Sequence, residues 1–414
     1  EEAPAPGMTA ELRAIMGRAA IEAARAVSYV GAGTVEFIAD ASTGLRRDRF
    51  WFMEMNTRLQ VEHPVTEAVT GVDLVEWQFR IAAGEALPLR QEQVQLSGHA
   101  VEARVYAEDP VHGFLPSTGR ILALEFPEQD DIRIDTGVEA GSEVSPFYDA
   151  MIAKVIAHAN SRDAAVESLG AALDCTLVAG PRTNVTFLST LLLSPEFRIG
   201  KFDTGFIDRN LAALGAIPHA ADQAAVALGV TRLLERQQKP IPQNEGSSNA
   251  PLSPWDIPDA FQLSGPRTVS LPVSADGEAV LATLSYSARG VVVDVDGVAP
   301  AADARIIETE DAVYVIRGQR QTIVKLMDID EIDAAHVDAG GTVTSPMHGK
   351  ILEILVSKGD TVRKGQRLAV VEAMKMEHSL LAPIDGKVAE ISVAAGSQIA
   401  EKAKIMVITA SQQA

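Results

Sequence analysis

Read as hydrophobic and polar positions, the chain changes rhythm several times. Residues 9–27 (TAELRAIMGRAAIEAARAV) put Leu12, Ile15 and Met16 on one helical face, with Thr9 as N-cap and Glu11 in the first turn, where an acid is favoured. A two-residue period then takes over. GTVEFIAD (33–40) and FWFMEMN (50–56) predict strands joined by the turn region ASTGLRRDR. Symmetric pairing sets residues whose numbers add to 90 opposite each other, so Glu36 faces Glu54 on one side of the ladder. Two like charges in that position cost energy unless something positive lies between them.

A helical pattern resumes over 66–83, and 94–106 alternates as a strand. PSTGRILALEFP, IRIDTGVEAGSEV and DAMIAKVIAHA continue in strand-sized pieces; SRDAAVESLGAALDCTLV and NVTFLSTLLLSPEF predict helices. Residues 1 to about 210 form one mixed α/β unit on this reading. HAADQAAVALGVTRLLERQ reads as a solvent-facing helix ending in a Pro-, Gly-, Asn- and Ser-rich linker at 239–258. Beyond it, EAVLATLSYS, GVVVDVDG, DAVYVIRG and RQTIVKLM alternate with Gly or Asp at the turns, the pattern of a small antiparallel barrel or sandwich.

The last seventy or so residues hold an internal repeat. Pro346, Gly349, Gly359 and Val362 recur 37 residues later as Pro383, Gly386, Gly396 and Ile399. Two copies of four short strands predict a pseudo-twofold flattened barrel. Between the copies lies AMKMEH, a hairpin tip whose Lys375 is flanked by Met374 and Met376; a two-residue period points the methionines away and leaves the amine outward.

Length and charge narrow the classes. At 414 residues, about three domains are the expectation. A formal charge of -20 would repel a phosphate backbone, which argues against nucleic acid as partner. One cysteine allows no internal disulfide or cysteine metal cluster and suits a reducing compartment. That residue, Cys175, reads as a small buried packing residue. No apolar run reaches the roughly 18 residues of a membrane helix, and the opening EEAPAPG is unlike a signal peptide, so no membrane association and a cytoplasmic location are expected.

Candidate chemistry gathers in FMEMNTRLQVEHPVTE (52–67). Glu54, Asn56, Arg58, Gln60 and Glu62 share one parity, so an extended backbone lines them along one face. A solvated edge could carry such a face; so could a site. Glu36 and Glu54 across a hairpin, with the Asn56 amide, offer oxygen ligands for Mg²⁺ or Mn²⁺ holding a nucleotide phosphate. GAG (31–33) lacks the third glycine of a dinucleotide fingerprint and is assigned to a turn; RRDR (46–49) is a solvated loop. His99 and Glu102 read as ordinary cross-strand polar residues, and His63 as a structural hydrogen-bonder.

GQRLAVVEAMKMEHSLLAP resembles the lipoyl-like biotinyl carrier domain of biotin-dependent carboxylases, with AMKM as the specific match. By that resemblance a biotin protein ligase attaches biotin to Lys375. FMEMNTRLQVEHPVTE resembles the end of the ATP-grasp portion of biotin carboxylase, and SGHAVEARVYAEDP (97–110) its C-terminal region. The resemblance implies metal ligands at Glu36 and Glu54 beside Asn56, and a bicarbonate site of Arg58, Gln60, Val61 and Glu62. Glu62 would take the bicarbonate proton, Arg58 would hold the anion, and Arg104 would stabilise the biotin enolate oxygen. It further implies a multidomain α+β chain: the end of an ATP-grasp region (1–85), the biotin carboxylase C-terminal domain (86–208), a connecting helix plus small β-barrel that binds a carboxyltransferase β subunit (209–335), and the biotinyl domain (340–410). The family uses ATP to carboxylate carrier biotin with bicarbonate; a partner subunit then carboxylates an acyl-CoA, within a hetero-oligomer. SSNAPLSPWDIPDAFQL favours the 3-methylcrotonyl-CoA type, with propionyl-CoA or acetyl-CoA as alternatives. In a eukaryote the location would be the mitochondrial matrix. The family also places most of its nucleotide pocket ahead of the position matching residue 1, so the expectation is no turnover by this chain alone. A non-catalytic carrier and assembly module is the contrasting reading.

Overall fold

The computed structural model describes residues 1–237, 267–287, 290–327, 341–373 and 376–410. The linker expected at 239–258 and Lys375 with Met374 lie outside these residues. Helix α1 (Ala10–Ala26) starts where its cap predicts, with Thr9 Oγ1 accepting from Leu12 N and Leu12 buried. Strands β1 (Thr34–Ala39) and β2 (Phe50–Asn56) form the expected hairpin. Its symmetric register holds through Thr34–Asn56, Val35–Met55 and Glu36–Glu54, then shifts by one residue so that Phe37 faces Phe52. That bulge lets Phe37 meet Phe50 and Phe52 edge to face, at 5.4 and 6.4 Å between centroids.

The helical stretch after it is two helices, α2 (His63–Thr70) and α3 (Leu74–Ala82). Gly71 adopts φ 68° and ends the first; Asp73 caps the second through Glu76 N. The strand expected over 94–106 begins only at His99: β3 (His99–Tyr106) pairs antiparallel with β5 (Met151–Ala159), which pairs on its far side with β4 (Ile132–Thr136). This sheet buries both faces. Val101, Ala103, Val105, Val155 and Ala157 pack under α4 (Arg162–Cys175) and α5 (Val185–Leu193). Ala100 and Ile156 on the other face pack against Val65 and Val69 of α2. Helix α4 is shorter than predicted: the chain is a strand again at Leu177–Ala179, and Cys175, read as buried, is exposed at the helix end.

Helix α6 (Gln223–Gln237) overturns a second reading. Ala225, Val226, Ala227, Val230 and Leu233 are buried, so the predicted solvent-facing helix is the core of the next unit. Its alanine-rich stripe is the reason: small side chains let the helix lie close to a sheet, and Gly229 sits so near Val324 that a Cβ would fall 2.6 Å from its Cγ2. The sheet is an antiparallel half-barrel, ordered Gly290–Asp294, Glu278–Ser287, Thr268–Ala275, Arg320–Leu326, Val313–Arg317, Arg305–Glu308. It is fastened to the preceding unit by side chains. Gln321 both donates to Gly180 O and accepts from Gly180 N, and Arg182 bridges Asp109 and Asp276.

The repeat folds as two four-stranded sheets. One runs Thr342–Thr344, Lys404–Ala410, Gly386–Ile391, Thr361–Val362; the other runs Met376–Leu381, Arg367–Ala373, Gly349–Ile354, Gln398–Ile399. Each strand of one is the 37-residue counterpart of a strand in the other. The bulge between Ile351 and Glu353 returns between Val388 and Glu390.

Candidate active site

The hairpin delivers the acids. Gly33 begins it, and a Cβ there would stand 2.9 Å from the Tyr29 ring and 3.1 Å from Asn56 O, so glycine allows the close entry. With the aromatics on the opposite face, Glu36, Glu54 and Asn56 share one side. Asn56 Nδ2 donates to Glu36 Oε1 at 2.7 Å and to Glu54 Oε1 at 3.3 Å; Gln60 Nε2 reaches the same Glu36 oxygen at 2.7 Å. The Asn56 amide bridges the like charges, and the Gln60 amide adds a second donor to Glu36.

The shared face predicted from parity ends at Asn56. The strand stops there and the chain bends at Arg58, because a turn is already forming: His63 N donates to Gln60 O and Val65 N to Glu62 O. Arg58 is exposed, donates to Leu59 O at 3.2 Å and forms no ion pair among the described residues. Glu62, at the mouth of α2, instead accepts from Arg104 NH2 at 2.7 Å, and Glu1 Oε1 lies 3.1 Å from the same nitrogen. His63 keeps its structural part, with Nδ1 2.8 Å from Gln60 O.

Beneath this turn the sheet carries a charged row. Arg104, Lys154 and Asp135 lie directly opposite one another across β3, β5 and β4. Lys154, nearly buried, donates from Nζ to Val61 O at 2.9 Å and pairs with Asp135 at 3.1 Å. Asp135, bonded also by Arg133, is held below the usual carboxylate range by these donors against the opposing effect of burial. Buried Glu67 ties α2 down, accepting from Arg133 NH1 at 2.7 Å and from Leu74 N at 2.7 Å. Glu102 is no ordinary cross-strand residue: it faces Ile156 and is 3% exposed. Neither carboxylate oxygen has a hydrogen-bond partner, and burial pushes its carboxyl up to about 7.

Lys154, Asp135, Glu67 and Arg133 were missing from the residues singled out by sequence. Lys154 had a signal: in MIAKVIAHA it is the one lysine inside an apolar nine-residue strand, where a buried amine needs partners.

The donor set around Glu36 fits a hard divalent cation. The amide nitrogens of Asn56 and Gln60 are turned to Glu36, and every group left to a cation is oxygen. Among the described residues no cluster of three or more His, Cys, Asp or Glu could hold a metal, so such an ion would share its ligands with a nucleotide phosphate or water. At the far end of the chain, Arg367–Ala373 and Met376–Leu381 pair with Ala373 opposite Met376 and Glu372 opposite Glu377.

Comparison with known proteins covers the same segments. Residues 1–90 match the carbamoyl-phosphate synthase L chain ATP-binding domain, 102–209 the biotin carboxylase C-terminal domain, and 341–408 the biotin-requiring enzyme domain. The methylcrotonoyl-CoA carboxylase α subunit of Dictyostelium discoideum is 38% identical over 92% of this chain and 58% of its own length. The propionyl-CoA carboxylase α chain of Caenorhabditis briggsae is 36% identical over 92% of this chain and 56% of its own. Both are described as mitochondrial, and this chain spans less than two thirds of either. No helix among the described residues is long and apolar enough to cross a membrane. The biotin carboxylase domain of Hydrogenobacter thermophilus 2-oxoglutarate carboxylase, solved with MgADP and bicarbonate, superposes with a TM-score of 0.50 at 40% identity, covering 53% of this chain and 47% of that one. Rhizobium etli pyruvate carboxylase gives 0.52 at 34% identity over 61% of this chain and 26% of its own. A carboxylate hairpin, a Glu62–Arg104 pair and a repeated carrier fold thus lie in one chain that carries a biotin carboxylase C-terminal domain and a biotin-requiring domain and is similar to biotin-dependent carboxylases over 92% of its length.

Proposed function

We propose that this chain supplies the carboxylating and carrier parts of an acyl-CoA carboxylase α subunit, which moves a carboxyl group from bicarbonate to biotin at the expense of ATP. Its parts would span 1–85, 86–208, 209–335 and 340–410. The observation that carries the reading is the Glu62–Arg104 pair, 2.7 Å apart, at the foot of a hairpin whose Glu36 and Glu54 face each other. Biotin attached at Lys375 would supply a ureido nitrogen able to accept and carry the carboxyl group. Glu36, Glu54 and Asn56 would hold the Mg²⁺ or Mn²⁺ that neutralises nucleotide phosphate. Arg58, exposed and without an ion pair among the described residues, is free to bind the bicarbonate anion, with Gln60 and the Val61 backbone beside it. Glu62 would accept the proton of bicarbonate, and Arg104 would face the oxygen on which charge develops.

The carboxyl acceptor and the carboxyltransferase β subunit belong to the same proposal. Relatives of the 3-methylcrotonyl type are 34–38% identical and those of the propionyl type 34–36%, which supports the acyl-CoA class and slightly favours the first. Mn²⁺ titration in the presence of ADP, read by electron paramagnetic resonance of the free ion, tests the metal site. Binding should weaken at least tenfold in Glu54→Gln and in Glu36→Gln; equal binding by wild type and both variants would remove it.

A further inference from the structure

The resting pair contains a conflict. Arg104 NH2 occupies Glu62 Oε2 at 2.7 Å, so that oxygen is open to bicarbonate only once Arg104 has moved off it. Arg104 therefore needs somewhere to go. The structure holds a second carboxylate for it. Glu102, two residues away on the same strand and the same face, has Oε1 3.9 Å from Arg104 Nε. Both Glu102 oxygens and Arg104 Nε are buried, and none has a hydrogen-bond partner among the described residues. Donor and acceptor thus lie near each other, about 0.7 Å beyond hydrogen-bond range.

We propose that Arg104 is a two-position residue and Glu102 its positioning partner: Arg104 rests on Glu62 and closes onto Glu102 when Glu62 is freed for bicarbonate. This rests on the reading of Glu62 as base. The geometry makes the move short. Lys154 keeps Val61 O and hence the turn in place, so the guanidinium moves and the turn does not. The surroundings also hold Glu102 ready. Burial raises its carboxyl to about 7, opposed by the positive charges of Lys154 and Arg104, so a closer approach by Arg104 favours the charged form. An ion pair formed there also removes the penalty of two buried unpaired groups.

The test follows the Arg104 Nε–H by ¹⁵N-resolved exchange with water, in a Glu1→Gln background so that the Glu1 carboxylate cannot substitute. Introducing Glu62→Gln should slow that exchange about tenfold, the protection given by a charge-assisted hydrogen bond. Adding Glu102→Gln should abolish the slowing. Bicarbonate added to the unsubstituted chain needs no variant to fold and should also slow the exchange. Slowing by Glu62→Gln but not by bicarbonate would leave the two-position arginine standing and remove the bicarbonate reading. Unchanged exchange in both arms, or slowing that survives Glu102→Gln, overturns the proposal.

Discussion

The carrier repeat and the carboxylate site are both built from strands, yet they close in opposite ways. In the repeat, backbone braces in one half are answered 37 residues on. Gly359 N donates to Val388 O at 2.8 Å while Gly396 N donates to Ile351 O at 2.7 Å. Ser345 N to Ala403 O is answered by Ala382 N to Gln366 O, both at 2.9 Å. Gly349 and Gly386 each lie against a backbone carbonyl, of Glu372 and of Thr409. The carboxylate site has no such internal echo. Its braces span the chain: 42 residues separate Arg104 from Glu62, and 93 separate Lys154 from Val61. The carrier is rigid because of backbone pairing that either half can supply. In the site, single side chains from distant strands hold a turn.

Four changes break or sharpen that contrast. The largest effect belongs to the carrier glycines. A Cβ at residue 386 would lie 2.3 Å from Thr409 O, and one at residue 349 would lie 2.6 Å from Glu372 O. Gly386→Ala and Gly349→Ala should each cost about 3 kcal/mol or more of carrier stability in denaturant unfolding, and by a similar amount if the pseudo-twofold is real. Loss confined to one of them would show that the halves are not equivalent. Lys154→Met comes next, since it strands Val61 O and removes a partner of Asp135 while Arg133 remains; about 2 kcal/mol is expected, in the front unit alone. An unchanged midpoint would mean that the turn is held by something other than Lys154.

The third change is read against pH. The Glu102 carboxyl titrates at about 7 in the fold, above its ordinary 4.5, so the native state binds the extra proton between those values. Its contribution is complete below about 4.5 and is lost as pH rises through about 7, an effect of about 3 kcal/mol. Glu102→Gln should therefore match wild type at the acid end of that window and exceed it in stability above. Parallel curves at every pH would refute the buried, neutral-favouring carboxyl. The smallest effect is at the hairpin tip, where Arg46 and Asp48 pair in the open: Arg46→Ala should move stability by less than about 0.5 kcal/mol. A larger loss would give this loop a structural weight that its exposure denies.

The same contrast explains what the sequence revealed. Period-two alternation, spaced glycines and a repeat are local signals, and they located the hairpin register through Glu36–Glu54, the helix cap at Thr9 and both halves of the carrier. Parity failed at Arg58 because it presumes an extended chain, whereas the hydrogen bonds of the Gln60–Val65 turn bend it. The reading of α6 as solvent-facing failed because alanines count as weakly apolar, although close helix-on-sheet packing is what they permit. Glu102 read as an ordinary cross-strand polar residue and Lys154 was not singled out, since their meaning comes from strands some fifty residues apart meeting in one sheet. Arg104 was found through resemblance; its partner Glu62 was found the same way, and the pairing itself appears only in three dimensions.

One measurement bears most directly on the central claim that this chain carries its own biotin. The chain is incubated with biotin, ATP and a biotin protein ligase, and its intact mass and AMKM peptide are analysed. A single biotinyl group on Lys375, absent from Lys375→Arg, is the predicted result. Labelling that survives Lys375→Arg, or none on a folded carrier, would contradict it.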